Sequence, residues 1–235
     1  MLNKMLQNRT RVTLLFAIVF TVNYAVTSAE ARYGLGAARQ YEITYAVHQF
    51  EHNLTFEFHD ATNLLAVYGY STSYFLMFPF LCVAVAFAFF QHQEPGPYRA
   101  LALAVAIDYG MSLPFFLFFP VIERWAYPDS GATLLSDQWS TKFIEAIRPI
   151  SGLNDCFPSF HVSMTVILIL SCYLFKIRLR TVVLSLGLTI ILSTFVLGIH
   201  WIADILAGLF LGVLSVLLAL RLAHIPVRQP ENPLL

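Results

Sequence analysis

Six stretches of the chain, at about 11–27, 64–90, 99–121, 159–175, 181–198 and 201–223, are mostly apolar over close to the length a helix needs to cross a bilayer. In hydrocarbon the backbone has no water to bond to, so such a chain is confined to an all-α, polytopic bundle of about six transmembrane helices. Composition agrees, since 58% of the 235 residues are hydrophobic and only 12% charged, about half the charged fraction of a soluble domain. Fourteen Lys and Arg balance fourteen Asp and Glu, which leaves no basic surface for nucleic acid. Cys82, Cys156 and Cys172 match neither a zinc nor a disulfide spacing. The first stretch follows Lys4, Arg9 and Arg11 and precedes Thr27, Ser28 and Ala29, a pattern that a signal peptide also satisfies. Pro79 and Pro114 interrupt the second and third, which is tolerated where neighbouring helices satisfy the freed carbonyls.

Lys and Arg fall unevenly on the two sides. Lys4, Arg9, Arg11, Arg99, Lys176, Arg178, Arg180, Arg221 and Arg228 share one side, and Arg32, Arg39, Arg124, Lys142 and Arg148 the other. The richer side is expected in the cytoplasm with both termini. Ten of the fourteen acidic residues lie in the two outer segments, 28–63 and 122–158, where there is room for chemistry. Residues 1–63 thus carry the first transmembrane helix and an interfacial segment, 64–223 form the membrane-embedded core, and 224–235 are a short cytoplasmic tail.

In the first outer segment Ile43, Val47, Phe50, Leu54 and Phe58 recur at helical spacing, predicting an amphipathic helix that lies along the membrane surface. His48, His52 and His59 fall on its polar side, and His48-Gln49-Phe50-Glu51-His52 fits the H-x-x-E-H pattern of some metalloproteases. No third-ligand motif follows, and a solvated helix face accounts for these histidines more simply. Asn53-Leu54-Thr55 is a glycosylation sequon, informative only in a secretory membrane system.

The second outer segment is more specific. Asn154-Asp155-Cys156-Phe157-Pro158-Ser159-Phe160-His161 precedes the fourth stretch, and Ser193-Thr194 with His200-Trp201-Ile202-Ala203-Asp204 marks the junction of the fifth and sixth. Two crossings separate the histidines, so both map to one membrane edge. Pro158 suits the first turn of a helix, whose unpaired N–H groups bind an oxyanion such as phosphate beside His161. His200 and Asp204 are four apart and share a helix face; a carboxylate on one imidazole nitrogen leaves the other free to attack. Asp108 lies near the middle of the third stretch, where an ionisable group is either functional or a bundle-facing structural residue. Tyr109 and Ser112 are its expected partners.

These residues resemble the type 2 phosphatidic acid phosphatase superfamily, whose signatures are Lys, six residues, Arg-Pro; Pro-Ser-Gly-His; and Ser-Arg, five residues, His, three residues, Asp. Ser193, Thr194, His200 and Asp204 match the third in spacing, with Thr in place of Arg. Pro158, Ser159 and His161 match the second, with Phe160 in place of Gly. Lys142 and Arg148-Pro149 approximate the first, one residue short, and Arg124 competes for the same phosphate-contacting role. The form Phe-Pro-Ser-Phe-His-Val is similar to the branch containing inositol phosphorylceramide synthase.

The resemblance implies a membrane lipid phosphatase or phosphotransferase in which His200 attacks phosphorus, Asp204 orients it and His161 protonates the leaving oxygen. Lys142, Arg148, Ser159, Thr194 and Arg124 would bind the substrate phosphate, with no metal or other cofactor. The substrate would be a phospholipid, a sphingolipid-type lipid or a polyprenyl phosphate, met at the extracytoplasmic or lumenal face. The thinned set of cations leans toward a phosphodiester, which carries about one negative charge against about two for a monoester. A non-catalytic lipid-binding or transport protein on the same scaffold is the alternative, and a metalloenzyme built on the 48–59 histidines a third reading.

Overall fold

The computed structural model describes residues 2–33, 39–52, 63–147 and 155–224. Helix α1 (Leu2–Tyr33) is followed by α2 (Gln40–His52) and then by one long rod. That rod consists of α3 (Leu64–Thr72), a π-helical turn (Ser73–Met77) and α4 (Phe78–Phe90). Helix α5 (Pro95–Phe118), two short 3-10 turns (Arg124–Ala126 and Pro128–Ser130) and α6 (Asp137–Ile147) lead to α7 (Phe160–Leu174), α8 (Arg180–Val196) and α9 (Ile202–Leu222). No strand occurs among the described residues.

Four of these helical runs, Arg9–Val26, Leu64–Phe90, Pro95–Phe118 and Ile202–Leu222, are long and apolar enough to cross a membrane, and α7 and α8 are apolar but shorter. Their outward faces are oily: Phe118 is 75% exposed, Phe210 69% and Phe80 67%. Exposed aromatic side chains at this density belong against lipid rather than water. The third apolar run starts four residues earlier than predicted, at Pro95, because Pro95 and Pro97 suit a first turn that needs no N–H donor.

Pro79 explains the π turn. A proline cannot donate to the carbonyl four residues back and its ring crowds it. The chain widens locally instead, and the N–H of Phe78 reaches Ser73 O five residues before. The rod continues, but the side chains after the turn are rotated relative to those before it.

Helices α5, α7 and α9 form the centre. Lipid supplies no hydrophobic drive between helices, so close backbone approach has to hold them. Gly208 and Gly212, one turn apart on α9, provide it. A Cβ on Gly208 would sit 2.6 Å from the carbonyl oxygen of Ser159, and one on Gly212 2.6 Å from that of Ser163. Asp108 is fully buried in this centre and accepts a hydrogen bond from Ser163 Oγ of α7 at 2.9 Å, instead of from Tyr109 or Ser112 of its own helix. Across a tight helix pair the facing hydroxyl is nearer than one along the same helix.

Helix α2 corrects the predicted stripe. Thr44, Val47 and Glu51 are buried and His48 partly so, while Phe50 is 60% exposed. The inward face is therefore rotated toward the polar residues, for a reason given by its partners: Thr44 Oγ1 accepts the N–H of Ile122 at 3.0 Å, and Glu51 Oε1 that of Ala203 at 2.8 Å. Backbone donors left over by other segments select the face. Leu54, Phe58, His59, the sequon at Asn53 and the tail after His224 lie outside the described residues, as does the side chain of His52.

Candidate functional site

The α8–α9 turn carries the site and is held by backbone bonds on both sides. Leu135 N–H donates to Leu197 O, Trp125 N–H to Gly198 O and Arg124 N–H to Ile199 O. Gly198 has φ +75°, and a Cβ there would meet Thr133 O at 2.6 Å, so only glycine fits both the left-handed backbone and the contact. The N–H of His200 donates to Thr194 O at 3.0 Å, and the indole of Trp201 to Ile122 O at 2.9 Å.

Within this frame His200 is 5% exposed and Asp204 fully buried. Asp204 sits in the first turn of α9, where a carboxylate is favoured by the unpaired N–H groups. Its Oδ2 accepts the N–H of Trp201 at 2.9 Å and faces His200 Nδ1 at 3.4 Å. Cys156 Sγ lies 3.1 Å from the same Nδ1 and donates its own proton to Ile199 O. Burial first, then the nearby Asp204 and Glu123 carboxylates, raise the Cys156 thiol well above its ordinary range, so the sulfur keeps that proton. Both neighbours of Nδ1 thus accept, which places the imidazole proton on Nδ1 and leaves a lone pair on Nε2.

His161 enters from α7, its ring centroid 6.3 Å from that of His200. Tyr74 stacks on it at 4.1 Å and Phe78 packs at 4.3 Å, so the π turn around Pro79 aims two aromatic rings at one imidazole. Ser159 is the N-cap of α7. Its N–H donates to Asp204 O at 3.1 Å, which ties the start of α7 to the first turn of α9, and its buried Oγ has no hydrogen-bond partner. Pro158 precedes this cap instead of occupying the first turn, and the Phe157–Pro158 peptide is cis.

The cations nominated by the sequence separate. Arg124 lies beside the site: its backbone binds Ile199, its guanidinium lies over the Phe195 ring at 5.1 Å, and its charge acts on Glu51. Burial lowers its pKa and Glu51 opposes that effect. Lys142 is exposed on α6, and Arg148 lies outside the described residues. Thr194 is buried, but its hydroxyl donates to Ile191 O at 2.7 Å while its carbonyl positions His200.

Two participants were not legible beforehand. Glu51 is 5% exposed and bonds the N–H beside Asp204; burial, reinforced by Asp204 and opposed by the Ala203 N–H and Arg124, lifts its pKa from 4.5 to about 6. Its companion in the H-x-x-E-H pattern, His48, packs on Tyr127 and Trp201 at 5.4 and 5.9 Å, and is not on a solvated face. Cys156 is the other. Cys156, His200 and Asp204 offer ligand atoms within 4.8 Å of one another, a donor set that Zn2+ accepts. The three are already connected to one another as hydrogen-bond partners, which suits an oriented imidazole.

A family model described as the PAP2 superfamily matches residues 45–218, most of the chain. No curated protein and no solved structure matches.

Proposed function

Because the chain belongs to the PAP2 superfamily, we propose that it is a membrane lipid phosphatase or phosphotransferase working through His200. The observation that carries this reading is the state of the His200 ring, with Nδ1 facing two acceptors, Nε2 free and a second imidazole 6.3 Å away.

In the reaction, Nε2 of His200 attacks phosphorus, a P–N bond forms and the P–O bond to the leaving group breaks, with His161 delivering a proton to the departing oxygen. Asp204 balances the positive charge that the phosphorylated ring acquires while the Nδ1 proton stays in place. Water or an alcohol then gives its proton to His161 and attacks phosphorus, and the P–N bond breaks to restore His200. The first-turn N–H groups of α7, Ser159 Oγ and Arg124 stabilise the phosphoryl oxygens, with Lys142, Arg148 and Thr194 as further contacts. Fixed donors of this kind need no metal.

On this reading α7 and α8 complete a set of six crossings, α2 lies at the interface, and the site opens on the extracytoplasmic or lumenal side with both termini in the cytoplasm. The substrate is a phospholipid, sphingolipid-type or polyprenyl phosphate, with a lean toward a diester headgroup, as in an inositol phosphorylceramide synthase-like branch.

The test is phosphate release and headgroup transfer from a lipid panel in detergent, for wild type and His200→Ala, with and without EDTA. The expected result is EDTA-insensitive turnover that falls by about 10⁴-fold or more in the variant, as loss of a nucleophile does. Turnover that survives the substitution discards the mechanism, and an intact wild type inert on every lipid favours a binding or transport protein.

A further inference from the structure

At the end of the bundle opposite the histidines, a cavity of about 450 Å3 opens between the start of α1 and the start of α5. Among the described residues, Arg9, Arg11 and Arg99 line it together with Tyr98, Pro95 and Gly96, and no carboxylate does. Ala223, just past the end of α9, closes it. Asp204 stands in the first turn of that helix, so about 30 Å of helix separates the cavity from the histidine site.

Three guanidinium groups around one partly enclosed space repel one another, and an anion between them relieves that cost. The lining is also graded. Arg9, Arg11 and Arg99 line it near the starts of α1 and α5, and Val12, Leu15 and Leu103 follow them further along the same two helices. Arg9 is anchored by donating to His92 O at 2.6 Å and by lying over the Phe90 ring at 5.3 Å, yet its buried Nε has no hydrogen-bond partner. Arg11 and Arg99 are exposed.

We propose that this cavity binds the phosphate headgroup of an anionic glycerophospholipid, with an acyl chain along the apolar wall, and so clamps α1 to α5. Guanidinium groups suit phosphate because their forked donors meet its oxygens in pairs, and basic pockets between helices at a membrane edge hold such headgroups. A phosphate touching Arg9 and Arg11 on one side and Arg99 on the other bridges two helices that also meet through Thr13–Tyr98 at 3.1 Å, Phe16–Tyr98 and the apolar packing of Val12 and Val19. The lipid here is a structural ligand, distinct from a substrate at His200.

The test uses the full chain purified in uncharged detergent, with bound lipid counted by native mass spectrometry and thermal unfolding followed in parallel. The probes are phosphatidylglycerol, phosphatidylcholine and inorganic phosphate. One phosphatidylglycerol is expected to stay bound and raise the unfolding midpoint, with phosphatidylcholine retained at least about tenfold less. Arg11→Gln/Arg99→Gln is expected to weaken phosphatidylglycerol by about tenfold or more, as loss of charged hydrogen bonds does. Arg178→Gln/Arg221→Gln, outside the cavity, is expected to leave it unchanged. Equal retention of the two lipids by the wild type overturns the proposal without recourse to any variant. So does an unaltered affinity in Arg11→Gln/Arg99→Gln, and stabilisation by inorganic phosphate equal to that by phosphatidylglycerol removes the lipid from the site.

Discussion

The turn that carries His200 is held from two directions by different physics. On its membrane side α9 meets α7 through Gly208 and Gly212, backbone against backbone, with no room for a methyl group. On its outer side α2 and the segment after α5 reach it largely through polar atoms: Glu51 to Ala203 N–H, Ile122 O to the Trp201 indole, Arg124 N–H to Ile199 O. The inner contact sets distance, because packed backbones cannot yield by a fraction of an ångström without moving a whole helix. The outer contact sets charge and orientation, because a hydrogen bond tolerates small shifts but not the loss of a partner.

Breaking the inner contact is expected to have the larger effect short of removing His200 itself. Gly208→Ala places a methyl group 2.6 Å from Ser159 O and forces α7, with His161, away from His200. A displacement near 1 Å costs about 10²-fold in turnover, and steady-state kinetics on a short-chain lipid phosphate should show it in kcat with KM little changed. An unaltered kcat would mean that the helix pair does not set the spacing between the two imidazoles.

The outer contact gives smaller and more chemical effects. Arg124→Gln removes the cation beside the site, and a loss of about tenfold in kcat/KM is expected, the lower end of what one charged hydrogen bond is worth. The same assay on Lys142→Gln, exposed on α6, should move little; the reverse ranking would reassign the phosphate contact to α6.

The smallest effect concerns Glu51. Its carboxyl titrates near 6 in the folded chain against 4.5, so folding takes up a proton between those values. The folded state therefore loses stability relative to the unfolded one as pH rises from about 4.5 through 6, with no further loss above. Glu51→Gln keeps an acceptor for Ala203 N–H and has no such titration. Thermal unfolding from pH 4 to 8 should show the variant gaining on the wild type across that window and then running parallel to it. A difference that does not vary with pH would show that Asp204 and burial do not hold the proton on Glu51.

What could be read in the sequence follows the same division. Apolar length located the helices, and the short spacing of His200 and Asp204 brought them together, although not on one helix face: His200 precedes α9, and Asp204 in its first turn reaches back to it. Small residues four apart at Gly208 and Gly212 are a readable signal for the close α7–α9 contact. The pairs Glu51–Ala203, Cys156–His200 and Tyr74–His161 join residues far apart in the chain, and no periodicity encodes them. The stripe on α2 misled for a physical reason. It ranked faces by hydrophobicity, whereas unpaired backbone N–H groups at Ile122 and Ala203 drew the polar face inward.

The bonds that clasp the 197–199 turn run from main chain to main chain, and that bears on how such a protein can drift. Trp125 and Leu135 grip the turn with atoms every amino acid possesses except proline, so the grip itself does not depend on the identity of either side chain, while the Trp125 indole donates to Glu123 and Leu135 packs against Tyr74, Leu197 and Ile199. A saturation library at 125, 135 and 198 should accordingly reject proline at 125 and 135 more strongly than any other replacement, while position 198, where φ is +75°, should accept glycine alone. A segment built this way can supply new side chains to the rim of the site while the reacting groups stay where they are.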